Sequence, residues 1–167
     1  MLVLVCGLPA SGKSTLSKKI AKKLKTPVLS TDAIRKHLFE NPTYTSDEKD
    51  FVYKSMFLVA EYLLKADRNV VLDGTFYKRC LRGRAYDITK ITGMGMAVVE
   101  CRSNDRSIRR RMGRRAVGKD GLSDADYEVY KKIKKDFEPI KRDHLVLDTD
   151  RPKQKNLDET LRYLNLL

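Results

Sequence analysis

Five short apolar runs recur along the chain, separated by segments in which apolar residues have helical spacing. The runs cover residues 2–6, 27–30, 69–73, 96–101 and 144–148. They are continuous rather than alternating, as in parallel strands that helices cover on both faces. The pattern therefore predicts one α/β domain that spans all 167 residues, with a five-stranded parallel sheet between two helical layers.

The helical segments have recognisable starts. Helices are predicted to begin near Lys13, Thr31, Thr45, Lys78, Ser123 and Asn156. The segment after Thr45 opens with a capping-box pattern and is the longest of them. Its predicted core face consists of Phe51, Val52, Met56, Val59, Ala60, Leu63 and Leu64.

The first apolar run continues directly into the sequence GLPASGKST at residues 7–15, which satisfies G-x-x-x-x-G-K-[ST]. Glycine at positions 7 and 12 permits a tight turn whose backbone N–H groups approach phosphate oxygens. Lys13 supplies a positive charge for the phosphates, and the Ser14 hydroxyl is a ligand for Mg²⁺. The segment predicts a nucleoside triphosphate site formed by Gly7, Ala10, Ser11, Gly12, Lys13, Ser14 and Thr15.

Two aspartates follow apolar runs, at the sheet edge where ligands bind in such folds. Asp32 has the position of a carboxylate that accepts a proton from a hydroxyl, although Asp is also a good helix N-cap. Arg35, one turn later, is either a contact for an acceptor phosphate or a surface arginine. Asp73 is expected to bind substrate and Mg²⁺, with a simple turn-forming role as the alternative.

Residues 102–115 are rich in arginine. The arginines are Arg102, Arg106, Arg109, Arg110, Arg111, Arg114 and Arg115. Phosphoryl transfer depends on electrostatic stabilisation of the phosphoryl oxygens, so residues from about 106 to 122 are predicted to form a small lid. A solvated helix face is the alternative for part of this run.

Composition and charge favour a globular protein with anionic partners. The net charge is +13, which favours anionic partners, and apolar residues make up 41% of the chain. No run approaches the ~18 apolar residues that span a bilayer, so we expect no membrane partner. The three cysteines lack metal-ligand spacing. We therefore expect reduced thiols, no signal peptide and a cytoplasmic location.

Five segments together resemble a known family. They are residues 7–15, STDAIR at 30–35, LDGTF at 72–76, RMGRR at 111–115 and SDAD at 123–126. In this order they resemble the AAA-type predicted kinases, small P-loop phosphotransferases related to the kinase domain of phage polynucleotide 5′-kinase. The resemblance extends over residues 2–148, and a glycine stands at position 74 where relatives often have alanine.

The resemblance implies a sheet of order 2-3-1-4-5 and ATP with Mg²⁺ as the phosphoryl donor. It assigns phosphate and metal contacts to Lys13 and Ser14, and the general base to Asp32. It further implies that Arg35 contacts an acceptor phosphate. Arg111 and Arg115 are then the catalytic lid arginines.

Three functions are compatible with these features. The first is a kinase that transfers the γ-phosphate of ATP to a hydroxyl, with the 5′-hydroxyl of RNA or DNA as one candidate acceptor. The second is a kinase of a sugar, nucleoside or antibiotic, which predicts a compact pocket rather than an open basic groove. The third is a nucleotide-dependent switch, which needs no base such as Asp32. The sequence leaves the oligomeric state open.

Overall fold

Strand β1 (Leu2–Gly7) lies at the centre of a parallel sheet. The computed structural model describes residues 1–117 and 127–165, and leaves the side chains of residues 115–117 undescribed. The other strands are β2 (Val28–Ser30), β3 (Val70–Asp73), β4 (Met96–Arg102) and β5 (Leu145–Asp148). Their order, β2-β3-β1-β4-β5, confirms both the predicted fold and the order that the family resemblance implies.

Helices cover both faces of the sheet. They are α1 (Lys13–Leu24), α2 (Thr31–Leu38), α3 (Ser46–Lys65), α4 (Arg79–Thr92), α5 (Asp105–Val117), α6 (Tyr127–Lys135) and α7 (Lys153–Leu164). Alternate residues of β1 point to opposite faces, so Leu2 and Leu4 pack in the core beneath α3 and α4. Val3 and Val5 pack with α1 and α7 in the second core.

The predicted core face of α3 is wrong at two positions. The side chains of Phe51 and Val59 are 53% and 44% exposed, respectively. The buried residues of this helix are Glu48, Val52, Tyr53, Met56, Phe57, Ala60 and Leu64. Apolar residues occur on all sides of α3, so spacing alone does not select the buried face. Contacts with other elements select it, and one of them joins the rings of Tyr53 and Phe76, whose centroids are 5.3 Å apart.

Several local predictions have clear outcomes. The hydroxyl of Thr45 accepts a hydrogen bond from the N–H of Glu48, which confirms the predicted cap of α3. Helix α7 begins at Lys153, three residues before the predicted start. Residues 106–117 of the predicted lid belong to α5, whereas residues 118–122 and the predicted cap at Ser123 lie outside the described residues.

The described helices include none that is both long and apolar enough to cross a membrane. Cys6 and Cys101 are buried in the two cores, as expected of small apolar side chains, whereas Cys80 is exposed.

Candidate active site

The loop between β1 and α1 has an unusual backbone. Gly7, Ala10 and Gly12 have φ values of 136°, 59° and 92°. A Cβ atom on Gly7 would lie 2.3 Å from the carbonyl oxygen of Cys101, so only glycine fits beside β4. Left-handed residues interspersed with right-handed ones form concavities that bind anions through backbone N–H groups. The loop therefore has the backbone that the motif requires.

Residues after β5 hold this loop in place. The hydroxyl of Thr149 donates to the carbonyl oxygen of Ser11 at 2.6 Å. A Cβ atom on Gly12 would lie 3.1 Å from the Cβ atom of Thr149, so this second contact is also close. Thr149 belongs to none of the motifs that the sequence contains. Its position directly after an apolar run, at the carboxyl edge of the sheet, is the signal that indicates it.

Arg111 also contacts the loop, from the side of β5. Its Nη1 donates to the carbonyl oxygen of Ala10 at 3.1 Å. Its Nη2 donates to the carbonyl oxygen of Thr149 and to Oδ1 of Asp150, each at 3.0 Å. These contacts make Arg111 an anchor between α5, the loop and the end of β5. Its predicted contact with phosphates stays a prediction, and the side chain of Arg115 lies outside the described residues.

Lys13 is the buried cation of the loop. Its side chain is 8% exposed, and Nζ donates to the carbonyl oxygen of Leu8 at 2.7 Å. Burial lowers the pKa of Lys13, while the nearby carboxylates of Asp73 and Asp32 raise it. The two aspartates are therefore close enough to Lys13 to influence its charge.

Asp73 ends β3 in the register that pairs it with both Val5 and Ser30. It is 4% exposed, and burial raises its pKa above the usual value of 3.8. Lys13 and hydrogen bonds from the hydroxyls of Ser14 and Ser30 counter that rise. Its Oδ1 atom is buried and has no hydrogen-bond partner among the described residues.

Asp73 and Ser14 fit a magnesium ion. A buried carboxylate oxygen without a partner, beside a hydroxyl at the start of a phosphate-binding helix, has the donor chemistry that Mg²⁺ prefers. The described part of the chain contains no group of three His, Cys, Asp or Glu side chains that could hold a metal.

Asp32 lies in the first turn of α2 rather than before it. The helix begins at Thr31, and Ser30 occupies the N-cap position. The alternative interpretation of Asp32 as the N-cap is therefore wrong. Its half-buried side chain lines the same cavity as Lys13.

That cavity has a volume of about 460 Å³. The phosphate loop, α2, the start of α3, the residues after β3, and α6 all contribute to its wall. Of the sequence-predicted site residues, those that line it are Ala10, Gly12, Lys13, Ser14, Thr15, Asp32, Arg35 and Asp73. The described lining does not include Gly7, Ser11 or Arg111.

Arg35 is not a surface arginine. It is 6% exposed and forms an ion pair with Glu48. The other carboxylate oxygen of Glu48 accepts from the N–H and the hydroxyl of Thr43, at 2.6 and 2.8 Å. Burial alone would raise the pKa of Glu48, but the hydrogen bonds from Thr43 and Arg35 lower it to about 2.

Other lining residues were not indicated by the sequence. They include Tyr44, Lys49, Tyr53, Tyr77 and Lys132. The Tyr53 hydroxyl accepts from the N–H of Phe76 at 3.3 Å, and burial raises its pKa to about 12. Single lysines and tyrosines on helices carry no sequence signal, because most of them face solvent or the core.

Comparison with known proteins identifies the family. Residues 2–140 match the family described as AAA domain (AAA_33), and the match includes the loop, both aspartates and α5. The chain belongs to this AAA domain family. A second comparison gives a relative that is 29% identical over 140 residues, the uncharacterized protein Rv2004c of Mycobacterium tuberculosis. The aligned region covers 77% of this chain but only 28% of the relative, so the chain spans less than a third of that protein.

Solved structures share the fold of this AAA domain. A sugar kinase from Janibacter sp. HTCC2649 has a TM-score of 0.75 at 16% identity, covering 98% of this chain and 94% of the other. The APS kinase CysC of Mycobacterium tuberculosis, solved with AMPPNP and APS, has a TM-score of 0.73 at 20% identity. That alignment covers 98% of this chain and 96% of CysC. At these identities the likeness shows the fold.

Proposed function

We propose that this AAA domain protein is an ATP-dependent kinase that transfers the γ-phosphoryl group to a hydroxyl of a small molecule. The observation that carries the proposal is the single cavity in which Lys13 and Ser14 lie together with Asp32 and Asp73. A phosphate-binding loop alone would also suit a switch. A carboxylate that lines the same cavity supplies the proton acceptor that a kinase requires.

The loop and Lys13 bind the triphosphate. The backbone N–H groups of residues 7–15 and the N-terminus of α1 attract its negative charge. The Lys13 ammonium, which donates to the carbonyl oxygen of Leu8, contacts the β- and γ-phosphates of bound ATP. Ser14 and Asp73 would hold Mg²⁺, which when bound neutralises charge on the phosphate oxygens.

Asp32 orients the acceptor and takes its proton. The acceptor oxygen forms a bond to the γ-phosphorus as the bond between that phosphorus and the β–γ bridging oxygen breaks, and ADP leaves. The hydroxyl proton passes to the Asp32 carboxylate. The role of Asp32 as base is thus the same as in the sequence-based hypothesis.

The size of the cavity supports a small acceptor. The cavity of about 460 Å³ includes the phosphate loop, so the phosphates of ATP would fill part of it and the rest suits an acceptor of small-molecule size. Proteins with the same fold include a sugar kinase and an APS kinase. A 5′-hydroxyl of RNA or DNA is the second candidate acceptor, and the net charge of +13 favours it.

The test is transfer of labelled γ-phosphate from ATP to a panel of sugars, nucleosides, hydroxy acids and a 5′-hydroxyl oligonucleotide. We expect transfer to a small alcohol, and a loss of at least ~100-fold in kcat for Asp32→Asn, because general-base catalysis contributes that much. Affinity for ATP should change less than about threefold, since Asp32 does not belong to the phosphate loop.

Asp50→Asn is the matched control, because Asp50 is exposed on α3 and is not among the described lining residues. Transfer that persists in Asp32→Asn would overturn the assignment of the base. Transfer to the oligonucleotide alone would replace the small acceptor by the second candidate. ATP binding without transfer to any acceptor would favour the switch.

A further inference from the structure

We propose that two copies of this chain associate through α3, which packs antiparallel against α3 of the second copy. This association does not depend on the proposed kinase function. It follows from a line of apolar and aromatic residues on the exposed side of the helix, formed by Phe51, Leu58 and Tyr62 together with the small Ser55. These four residues are the α3 stripe.

The α3 stripe faces solvent although it is largely apolar. The side chains of Phe51, Leu58 and Tyr62 are 53%, 57% and 68% exposed. The four positions follow one another at intervals of four, three and four residues, so they share one side of the helix. On the opposite side, Ala60 and Leu64 are buried in the core. Scattered apolar residues are normal on a surface, but a contiguous group is typical of an interaction site.

Neighbouring residues widen this surface. The ring of Phe39, directly after α2, makes an edge contact with the ring of Phe51, with 6.0 Å between the centroids. Val59 is also exposed and lies beside the α3 stripe on α3 itself. A partner would therefore meet more than a single row of side chains.

The charge of α3 favours a second copy as the partner. This helix has four acidic and three basic residues, whereas each of the other described helices has more basic than acidic residues. In a chain with a net charge of +13, α3 is the helix through which two copies can approach with the least repulsion. An anionic partner would be attracted to the basic helices instead.

The residues beside the α3 stripe determine the orientation of the two helices. Lys54 and Glu61 lie on one flank of the stripe, and Val59 lies on the other. In an antiparallel pair with twofold symmetry, the same flank of each helix meets, so Lys54 of each copy faces Glu61 of the other. A parallel pair would place these charges against the flank of Val59, where they would have no partner of opposite sign.

The spacing of the α3 stripe fits the antiparallel arrangement. Intervals of four, three and four residues are the same in both chain directions. Two antiparallel copies therefore place Phe51 opposite Tyr62 of the second copy, and Leu58 opposite Ser55 of the second copy. The small serine leaves room for the leucine, as in helix pairs in which a side chain of one helix enters a space on the other.

The charged residues are available for these contacts. In the single chain Glu61 pairs with Lys65 at 2.6 Å, and both side chains are partly exposed. Exposed ion pairs contribute little to stability, so Glu61 can exchange this contact for Lys54 of the second copy at small cost. Lys54 is itself exposed, and it forms no ion pair within the part of the chain that the structure describes.

The first experiment measures the oligomeric state of the full chain by sedimentation velocity over a range of concentrations. We expect a reversible dimer with a Kd of about 10–100 µM, because a pair of helices buries less area than the ~1,600 Å² of a standard interface. Leu58→Lys should raise Kd at least about tenfold, since it places a charge at the centre of the contact in both copies.

Ile91→Lys is the matched control, because Ile91 is 67% exposed but belongs to α4. It should dimerise as the wild type does. A wild-type chain that stays monomeric up to about 1 mM would overturn the inference and leave the α3 stripe to a different partner. A dimer that Leu58→Lys leaves intact, or that Ile91→Lys weakens equally, would also overturn it.

The second experiment reverses the charges beside the α3 stripe. Lys54→Glu and Glu61→Lys should each raise Kd about tenfold, because two attractive contacts per dimer become repulsive. Both positions are on the surface, so the variants should keep the wild-type melting temperature.

An equimolar mixture of Lys54→Glu with Glu61→Lys should form a heterodimer with a Kd within about threefold of the wild-type value, because each contact again joins opposite charges. Lys23→Glu, at an exposed position of α1, is the control for the mixture and should not restore the dimer of Glu61→Lys. If the mixture of the two α3 variants stays as monomeric as each variant alone, the antiparallel contact is wrong.

Discussion

Arg35 and Glu48 form an ion pair that is almost fully buried, with side chains 7% and 5% exposed. Glu48 lies thirteen positions after Arg35 in sequence, and Asn41 and Pro42 lie between them. The pair ties α2 to the first turn of α3, beside the cavity that Arg35 lines. Glu48 is therefore a positioning residue for Arg35.

Replacement of Glu48 by glutamine should give a pH-dependent loss of stability. The pKa of Glu48 is lowered from an ordinary 4.5 to about 2, so its carboxylate stabilises the fold above about pH 4.5. That contribution is lost as the pH falls towards 2. We expect Glu48→Gln to unfold at a clearly lower urea concentration at pH 7, with the difference from wild type shrinking between pH 5 and pH 2.

Glu40→Gln is the control, because Glu40 is an exposed carboxylate between α2 and α3. Its urea midpoint should follow that of the wild type at each pH. A difference between Glu48→Gln and wild type that stays constant with pH would contradict a role for the charge of Glu48.

Asp73→Asn should separate stability from nucleotide binding. Burial raises the pKa of Asp73, so the ionised carboxylate weakens the nucleotide-free fold as the pH rises above 3.8. We expect Asp73→Asn to be more stable by about 1 kcal/mol at pH 7 without nucleotide. The increase in melting temperature on adding Mg²⁺ and ATP should be lost, because the amide is a poor magnesium ligand.

The corresponding control is Asp87→Asn, which removes an exposed carboxylate from α4. It should leave both the stability and the effect of nucleotide unchanged within about 0.5 kcal/mol. If Asp73→Asn were destabilising without nucleotide, Asp73 would have a structural role instead of a ligand-binding one.

Gly7→Ala should destabilise the protein through its backbone. The φ of 136° is strained for alanine, and the new Cβ would lie 2.3 Å from the carbonyl oxygen of Cys101. We expect a loss of about 2–4 kcal/mol in the free energy of unfolding, from strain and from the clash. Urea denaturation measures it.

Gly83→Ala is the control for Gly7→Ala, because an added Cβ atom has room at position 83. Gly83 lies within α4, and a Cβ there meets nothing within 4 Å. Gly83→Ala should therefore stabilise the protein by about 0.5–1 kcal/mol. Similar effects of the two substitutions would show that the approach of β4 to Gly7 is not the cause.

Arg111→Met tests whether this arginine is an anchor. It removes hydrogen bonds to the Ala10 and Thr149 carbonyls and the ion pair with Asp150. We expect the nucleotide-free protein to lose about 2 kcal/mol in the free energy of unfolding, whereas Arg110→Met, at an exposed position of α5, should lose less than about 0.5 kcal/mol. A fall in kcat without any loss of stability would instead support the predicted contact with phosphates.

Much of the fold could be predicted because its signals are local. Five continuous apolar runs gave the strands, and each lies within one or two residues of the observed bounds. The buried face of α3 was less predictable. Apolar residues occur on all of its sides, and the choice between Val59 and Phe57 depends on contacts with Phe76, which is distant in sequence.

The candidate site likewise contains some residues that the sequence indicates and others that it does not. Residues 7–15 and Asp73 are indicated by position relative to a strand, and the structure confirms that position. The buried state of Arg35 could not be predicted, because it depends on Glu48 across a break between two helices. Lys49 and Lys132 carry no local signal, since only the packing of α3 and α6 brings them to one cavity.

The two halves of the sheet contribute different residues to the candidate site. Ser30, Asp32 and Asp73 belong to the half that contains β2 and β3, whereas Cys101, close to Gly7, and Thr149, bonded to Ser11, belong to the half that contains β4 and β5. In the proposed kinase, substitutions in α2 and α6 would alter the acceptor side of the cavity while leaving the contacts of Cys101 and Thr149 with the loop in place. If the proposed kinase function holds, this layout would let related proteins acquire new acceptors while keeping the same donor.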